Sequence, residues 1–238
     1  MLAGCLRNSG YWMGERVLQA SERNPLGYFE SAEINDINEA LLAPAVDALA
    51  SRRLPWRRHP ALLKDHRWLA CLDAPLTASP PDDLQQRMRR AISHTPYCFK
   101  DPRFSYTLLQ WLPLIGDAVL IGVFREPART VRSVLTECEG APYLRQVHMT
   151  PAWAERMWCC VYGALLQLRS RTELPALMVH YRQIMEGDAL QRIARLIDGK
   201  VDTSFPTPSL ARSANVGTVK RQTRGIYNEL CKWAEYDG

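Results

Sequence analysis

The stretch "AVLIGVFREPARTVRSVL", residues 118–135, decides how this chain is read. Residues 118–124 are apolar without a break and rich in β-branched and aromatic types, the pattern of a strand buried on both faces. Arg125 then interrupts the run, and Glu126 and Pro127 follow. Proline suits the first helical position because its missing N–H has no partner there anyway. The spacing predicts a helix over 127–137 that carries Arg129, Arg132 and Ser133. A buried strand that ends on a cation and a helix start fits an anion, most simply a phosphate. The other reading is a plain capping turn.

Working outward, the chain alternates strand-like and helix-like segments. "YCFK" (97–100) reads as a short strand ending at "DPR", and "ALMVHY" (176–181) as another; with a possible N-terminal strand they make four. Helices are expected over "AEINDINEALLAPAVDALA" (32–50), capped by Ser31, and around 61–72. Others are expected over "TASPPDDLQQRMRRAISH" (77–94), "SYTLLQWLPLI" (105–115) and "TPAWAERMWCCVYGALLQLRSR" (150–171). "MEGDALQRIARLID" (185–198) and "TRGIYNELCKWAEY" (223–236) complete the set. "ERNPLGYFES" (22–31) is a loop, and 52–60 a basic connector. This order predicts one α/β domain with a parallel sheet flanked by helices. In such sheets ligands sit at the carboxyl ends of the strands, where Lys100 and Arg125 both fall.

The length of 238 residues suits a single core of this kind. A formal charge of +5 is compatible with small anionic ligands and does not by itself argue for nucleic acid. Seven scattered cysteines, odd in number and without a CxxC pair, exclude a disulfide scaffold and read as free thiols. The five histidines share no metal-ligand spacing, so no metal is expected. No run approaches the ~20 apolar residues of a membrane span, and no charged-then-apolar leader opens the chain; a cytoplasmic protein is the expectation. The helix bearing Met157, Trp158 and Leu165 is expected to be core.

Five segments, in order, resemble the sulfotransferases that use 3′-phosphoadenosine 5′-phosphosulfate. They are "NPLGYFES" (24–31), "KDPRF" (100–104), "REP" with a serine eight residues after the arginine (125–133), "VHYRQI" (179–184) and "PSLARSAN" (208–215) before the "IYNEL" helix. In "VHYRQI", Arg182 and Gln183 stand where the family has an acidic pair. The resemblance implies a fold like that of the P-loop nucleotide kinases. It implies the nucleotide as co-substrate, and a hydroxyl or amine of a carbohydrate, lipid or small metabolite as acceptor. The acceptor would be gripped by residues 31–95 and 138–155. By the same resemblance Arg125 and Ser133 hold the 3′-phosphate, with Arg212 as a further candidate, and Tyr181 lies near the adenine. Lys100 lies near the transferring group, helped by Arg103. Glu30, then Asp101, is the base.

The family's donor loop and first strand have no clear counterpart. "WMGE" (12–15) registers "MLAGCLRNSG" as the helix after that loop, which puts the loop upstream of Met1 and makes the chain N-terminally truncated. The alternative takes "MLAGCL" as the strand and "RNSGYW" (7–12) as a degenerate loop. A non-catalytic remnant or nucleotide-binding module of the same fold is the rival function. A nucleotide kinase is disfavoured by the lack of a GxxxxGK[ST] run.

Overall fold

The computed structural model describes residues 1–22, 24–51, 62–206 and 217–237. Among them two strands, β1 (Leu120–Phe124) and β2 (Ala176–His180), pair in parallel. The register joins Leu120 to Ala176 and Phe124 to His180. Alternate residues therefore face opposite ways, and both faces are covered. Ile121, Leu177 and Val179 pack with α1 (Leu2–Asn8) and α8 (Asp188–Leu196) through Leu2, Cys5, Leu6, Leu190 and Ile193. Phe124 and Met178 pack the other way, against Trp158 of α6 (Pro151–Leu168) and Leu230 of α9 (Arg221–Ala234). Gly122 lies on that second face, where a Cβ would stand 2.6 Å from the Met178 methyl carbon.

The α/β class with helices on both sides is thus as expected, but the sheet is smaller. "YCFK" forms no strand. It contributes one parallel bridge, Tyr97 to Trp12, closed by hydrogen bonds from Trp12 N to Pro96 O and from Cys98 N to Trp12 O, each 2.9 Å. "MLAGCLRN" is helical, as the register of "WMGE" implied, and not a strand.

The remaining helices follow their local signals. Ser31 Oγ accepts from Ile34 N at 3.4 Å at the head of α2 (Ala32–Ser51). The helix expected around 61–72 is only a 3-10 turn over Arg67–Leu69; residues 52–61 lie outside the described residues. Asp82 and Asp83 open α3 (Asp82–Ala91), where carboxylates suit the positive helix end, although no side chain caps it. Next, α4 (Phe104–Trp111) stops short of Pro113, and α5 (Pro127–Gly140) runs three residues past its expected end. Thr150 accepts from Trp153 N at 3.2 Å to start α6. The "MEGDALQRIARLID" stretch breaks at Gly187, whose φ of 95° separates α7 (Tyr181–Glu186) from α8.

A second core joins α2, α4, α5 and α6 around Leu42, Tyr106, Val134, Leu144 and Ala154. Trp158 is buried as expected. Among the described residues no helix is long and apolar enough to cross a membrane.

Gly14 adopts φ +107°, and a Cβ there would stand 2.4 Å from the Ser31 hydroxyl that caps α2. Gly14→Ala is therefore expected to lower the unfolding free energy by about 1–3 kcal/mol in urea titration. Gly163→Ala, on α6 with open space around it, is expected to be neutral or slightly stabilising.

Candidate functional site

The strand register decides what stands at the carboxyl end of the sheet. Since Phe124 pairs with His180, Arg125 and Tyr181 follow side by side as the chains leave β1 and β2. Arg125 is half-buried and its guanidinium pKa is lowered by burial, an effect opposed by the nearby Tyr162 and Tyr181 hydroxyls and by the Glu126 carboxylate. Its hydrogen bonds within the chain are long: Nε to Thr130 Oγ1 at 3.3 Å and NH2 to Arg129 O at 3.4 Å. These leave several of its N–H donors unfilled.

The neighbouring carboxylate is engaged elsewhere. Glu126 faces Arg129 Nε at 3.6 Å, Arg182 NH2 at 3.6 Å and His180 Nε2 at 3.8 Å. Among the described residues no carboxylate lies within ion-pair distance of Arg125. A partly desolvated arginine with open donors and no carboxylate within ion-pair distance is suited to an anion with several oxygens.

Ser133 is exposed, and no hydrogen bond joins it to Arg125. Thr130, in the first turn of α5, takes the contact with Arg125. Its hydroxyl also reaches back to Glu126 O at 3.4 Å, which fixes where Arg125 Nε can go. Thr130 lies five residues after Arg125, and a hydroxyl in the first helical turn was the available signal. Arg212 lies outside the described residues.

A second group forms where "KDPRF" meets "NPLGYFES". Lys100 pairs with Glu30, which also accepts from Asn35 Nδ2 at 2.9 Å. Lys100 is half-exposed while Glu30 is largely buried. The first turn of α1 comes close as well: the Met1 amino group is lowered by burial and then by the charge of Lys100.

Asp101 belongs to the interior. Asn38 Nδ2 donates to Oδ2 at 2.9 Å, while Arg103 donates to Oδ1 from its backbone at 2.8 Å and from NH1 at 3.0 Å. Arg103 also donates from Nε to Glu39 at 2.7 Å, and Arg67 to the same carboxylate at 3.1 Å. Asn38 in turn accepts from Thr107 at 2.9 Å and from Trp111 at 3.0 Å. Every oxygen of Asp101 is thus occupied. Its place is to hold the turn that presents Lys100, and Arg103 is equally committed inside. Burial pushes the Asp101 carboxyl up to about 6, against the pull of Arg103 and with a further push from nearby Glu30.

A cleft of about 610 Å³ opens beside this pair. Ser31 and Phe99, the chain neighbours of Glu30 and Lys100, line it together with Trp12, His94, Arg16 and Arg90. Trp12 stacks on His94 with ring centroids 4.2 Å apart and meets Phe99 edge-on at 5.8 Å. This aromatic wall depends on the Trp12–Tyr97 bridge, a contact between distant segments with no local sequence signal.

His180 terminates β2 and caps α7: its Nδ1 accepts from Arg182 N at 3.3 Å, and Gln183 Oε1 accepts from His180 N at 2.8 Å. The ring is enclosed by Phe124, Tyr227 and Tyr236. Burial drives its pKa down to about 4, against a weaker upward pull from Glu126.

No protein-family model, curated protein or solved structure matches the chain.

Asp101 and His180 bias stability in opposite directions over nearly the same pH range. Asp101 binds its proton more tightly folded than unfolded, so its contribution falls as pH rises from about 3.8 to about 6. His180 binds its proton less tightly when folded, so its contribution grows as pH rises from about 4 to about 6.5. Asp101→Asn is expected to make urea stability climb more steeply with pH across this window, by roughly 3 kcal/mol relative to the wild type. His180→Asn is expected to do the reverse. Parallel profiles for wild type and both variants would contradict the two assignments.

Proposed function

We propose that this chain is a sulfotransferase-type domain that binds the 3′-phosphate of a sulfuryl-donor nucleotide at Arg125. The observation that carries the reading is Arg125 itself: half-buried at the carboxyl end of a parallel strand, with open donors and no carboxylate partner. A phosphate would fill those donors and offset the cost of desolvating the guanidinium. Tyr181 stands beside it, where an adenine ring would find an aromatic face. The five motifs of the sequence support the same ligand, 3′-phosphoadenosine 5′-phosphosulfate, and with it a fold related to the P-loop nucleotide kinases.

In this reading the Lys100–Glu30 pair does the chemistry. The acceptor's hydroxyl oxygen attacks sulfur in line, and the bond from sulfur to the 5′-phosphate oxygen breaks. Lys100 meets the charge that gathers on the leaving oxygen and on the sulfuryl oxygens. A carboxylate paired with lysine is a weak base. Once the donor's anionic end draws Lys100 away, Glu30 is released to accept the acceptor's proton. The aromatic and arginine-lined cleft beside Glu30 is where a sugar-like or ring-bearing acceptor would lie.

The existing Lys100–Glu30 pairing also favours a second reading, a module that binds the nucleotide without transferring the sulfuryl group. Titration calorimetry with 3′-phosphoadenosine 5′-phosphate, and 5′-AMP as control, tests what both readings share. Micromolar binding that requires the 3′-phosphate is expected, with a loss of roughly 10- to 100-fold in Arg125→Ala. Equal affinity for the two nucleotides, or an unchanged affinity in the folded variant, overturns the proposal. Release of 3′-phosphoadenosine 5′-phosphate from the donor in the presence of acceptors, lost in Glu30→Gln, separates transfer from binding alone.

A further inference from the structure

The cleft beside Glu30 carries more charge than a neutral ring would use. Its volume of about 610 Å³ is in the range of small-molecule sites. One wall is aromatic: Trp12 and His94 stack with centroids 4.2 Å apart, and Phe99 meets Trp12 edge-on. The rest of the lining is largely polar. Arg87 donates from Nε and NH2 to Glu33 Oε1 at 3.0 and 2.9 Å, so that pair is matched within the protein. Arg90 follows three residues along α3 and falls on the same helix face. Arg16 reaches the cleft from another part of the chain. Val17 pairs antiparallel with Ser31, with Leu18 N donating to Glu30 O and Ala32 N to Arg16 O, each at 2.8 Å. This short ladder fixes the Arg16 segment against the one that carries Glu30.

Arg16 and Arg90 are exposed. Among the described residues neither has a carboxylate within ion-pair distance or a side-chain hydrogen bond. With Arg87 matched to Glu33, the lining is left with two arginines against one carboxylate, Glu15.

We propose that the cleft binds an acidic sugar, a pyranose that carries a carboxylate. Arg16 and Arg90 hold the carboxylate, since arginine donors meet its two oxygens in pairs. The apolar C–H face of the ring lies on the aromatic wall and leaves water. Its hydroxyls donate to Glu15 and to the Glu33 oxygen that Arg87 leaves open. Those two carboxylates select the sugar over a flat aromatic acid. A sugar brings them several O–H donors, whereas an aromatic acid brings a second anion and few donors. As a binding site this stands without the donor reading; as the identity of the acceptor it rests on that reading.

Titration calorimetry of the full chain at pH 7 and low salt compares cellobiuronic acid, its methyl ester, cellobiose and 4-hydroxybenzoate. The ester keeps the rings and removes the charge. Cellobiuronic acid is expected to bind about tenfold tighter than the ester or cellobiose, and tighter than 4-hydroxybenzoate. The preference for the acid over the ester is expected to vanish in a chain carrying both Arg16→Ala and Arg90→Ala. Both positions are exposed, and circular dichroism checks that this variant is folded. Equal affinity for acid and ester overturns the proposal. So do tighter binding of 4-hydroxybenzoate, no binding of any of the sugars, or a preference that survives in the folded double variant. A parallel titration with 3′-phosphoadenosine 5′-phosphate keeps the two readings apart. Preference for the acidic sugar without nucleotide binding overturns the donor reading alone. Nucleotide binding without that preference overturns the acidic-sugar site alone.

Discussion

Two parallel strands cannot be joined by a tight turn, and this constraint shapes the molecule. After Phe124 the chain must travel the length of the sheet before re-entering at Ala176, and it spends that distance on α5 and α6. The returning helix lays Trp158 on the face formed by Phe124 and Met178, while α1 and α8 close the opposite face. One consequence is chemical. Both strands leave the sheet at the same end, so the residues just past them, Arg125 and Tyr181, are neighbours though far apart in the chain.

The protein treats its buried charges in two ways. Around Asp101, Arg103, Glu39 and Arg67 every charge has an opposite partner and nearly every lone pair a donor, as a desolvated network requires. That network ties α2 to the turn before α4 and leaves Lys100 at its rim. At the end of β1 the arrangement differs. Glu126 is surrounded by Arg129, Arg182 and His180; among the described residues Arg125 has no carboxylate within ion-pair distance and feels Glu126 only at longer range. The proposed anion site rests on this contrast between closely paired charges and an arginine without a close carboxylate.

The carboxyl of Asp101 and the imidazole of His180 show how burial acts on opposite kinds of group. Desolvation favours the neutral form of each, so it raises the acid and lowers the base. Both are also fixed by hydrogen bonds that shape the site: Asp101 holds the turn carrying Lys100, and His180 holds the start of α7 that carries Tyr181.

Much of the architecture was legible in local sequence. Apolar run length marked β1 and β2, and proline and hydroxyl caps marked the starts of α5, α6 and α2, because each depends on a few adjacent residues; the break at Gly187 inside the expected 185–198 helix did not stand out. Arg125 stood out for the same reason, as a cation ending a buried run. The "YCFK" segment misled, since a short apolar stretch looks alike whether or not a neighbour pairs with it. The family resemblance points to Ser133, but the helix turns it to solvent and brings Thr130 to Arg125 instead. The contact of Asp101 with Asn38 and the pairing of Lys100 with Glu30 both join segments distant in the chain. The sequence by itself determined the two strands, most of the helices and where charge is placed along them. Only the tertiary structure decided which charges are neutralised, because that depends on partners brought from elsewhere in the chain by packing.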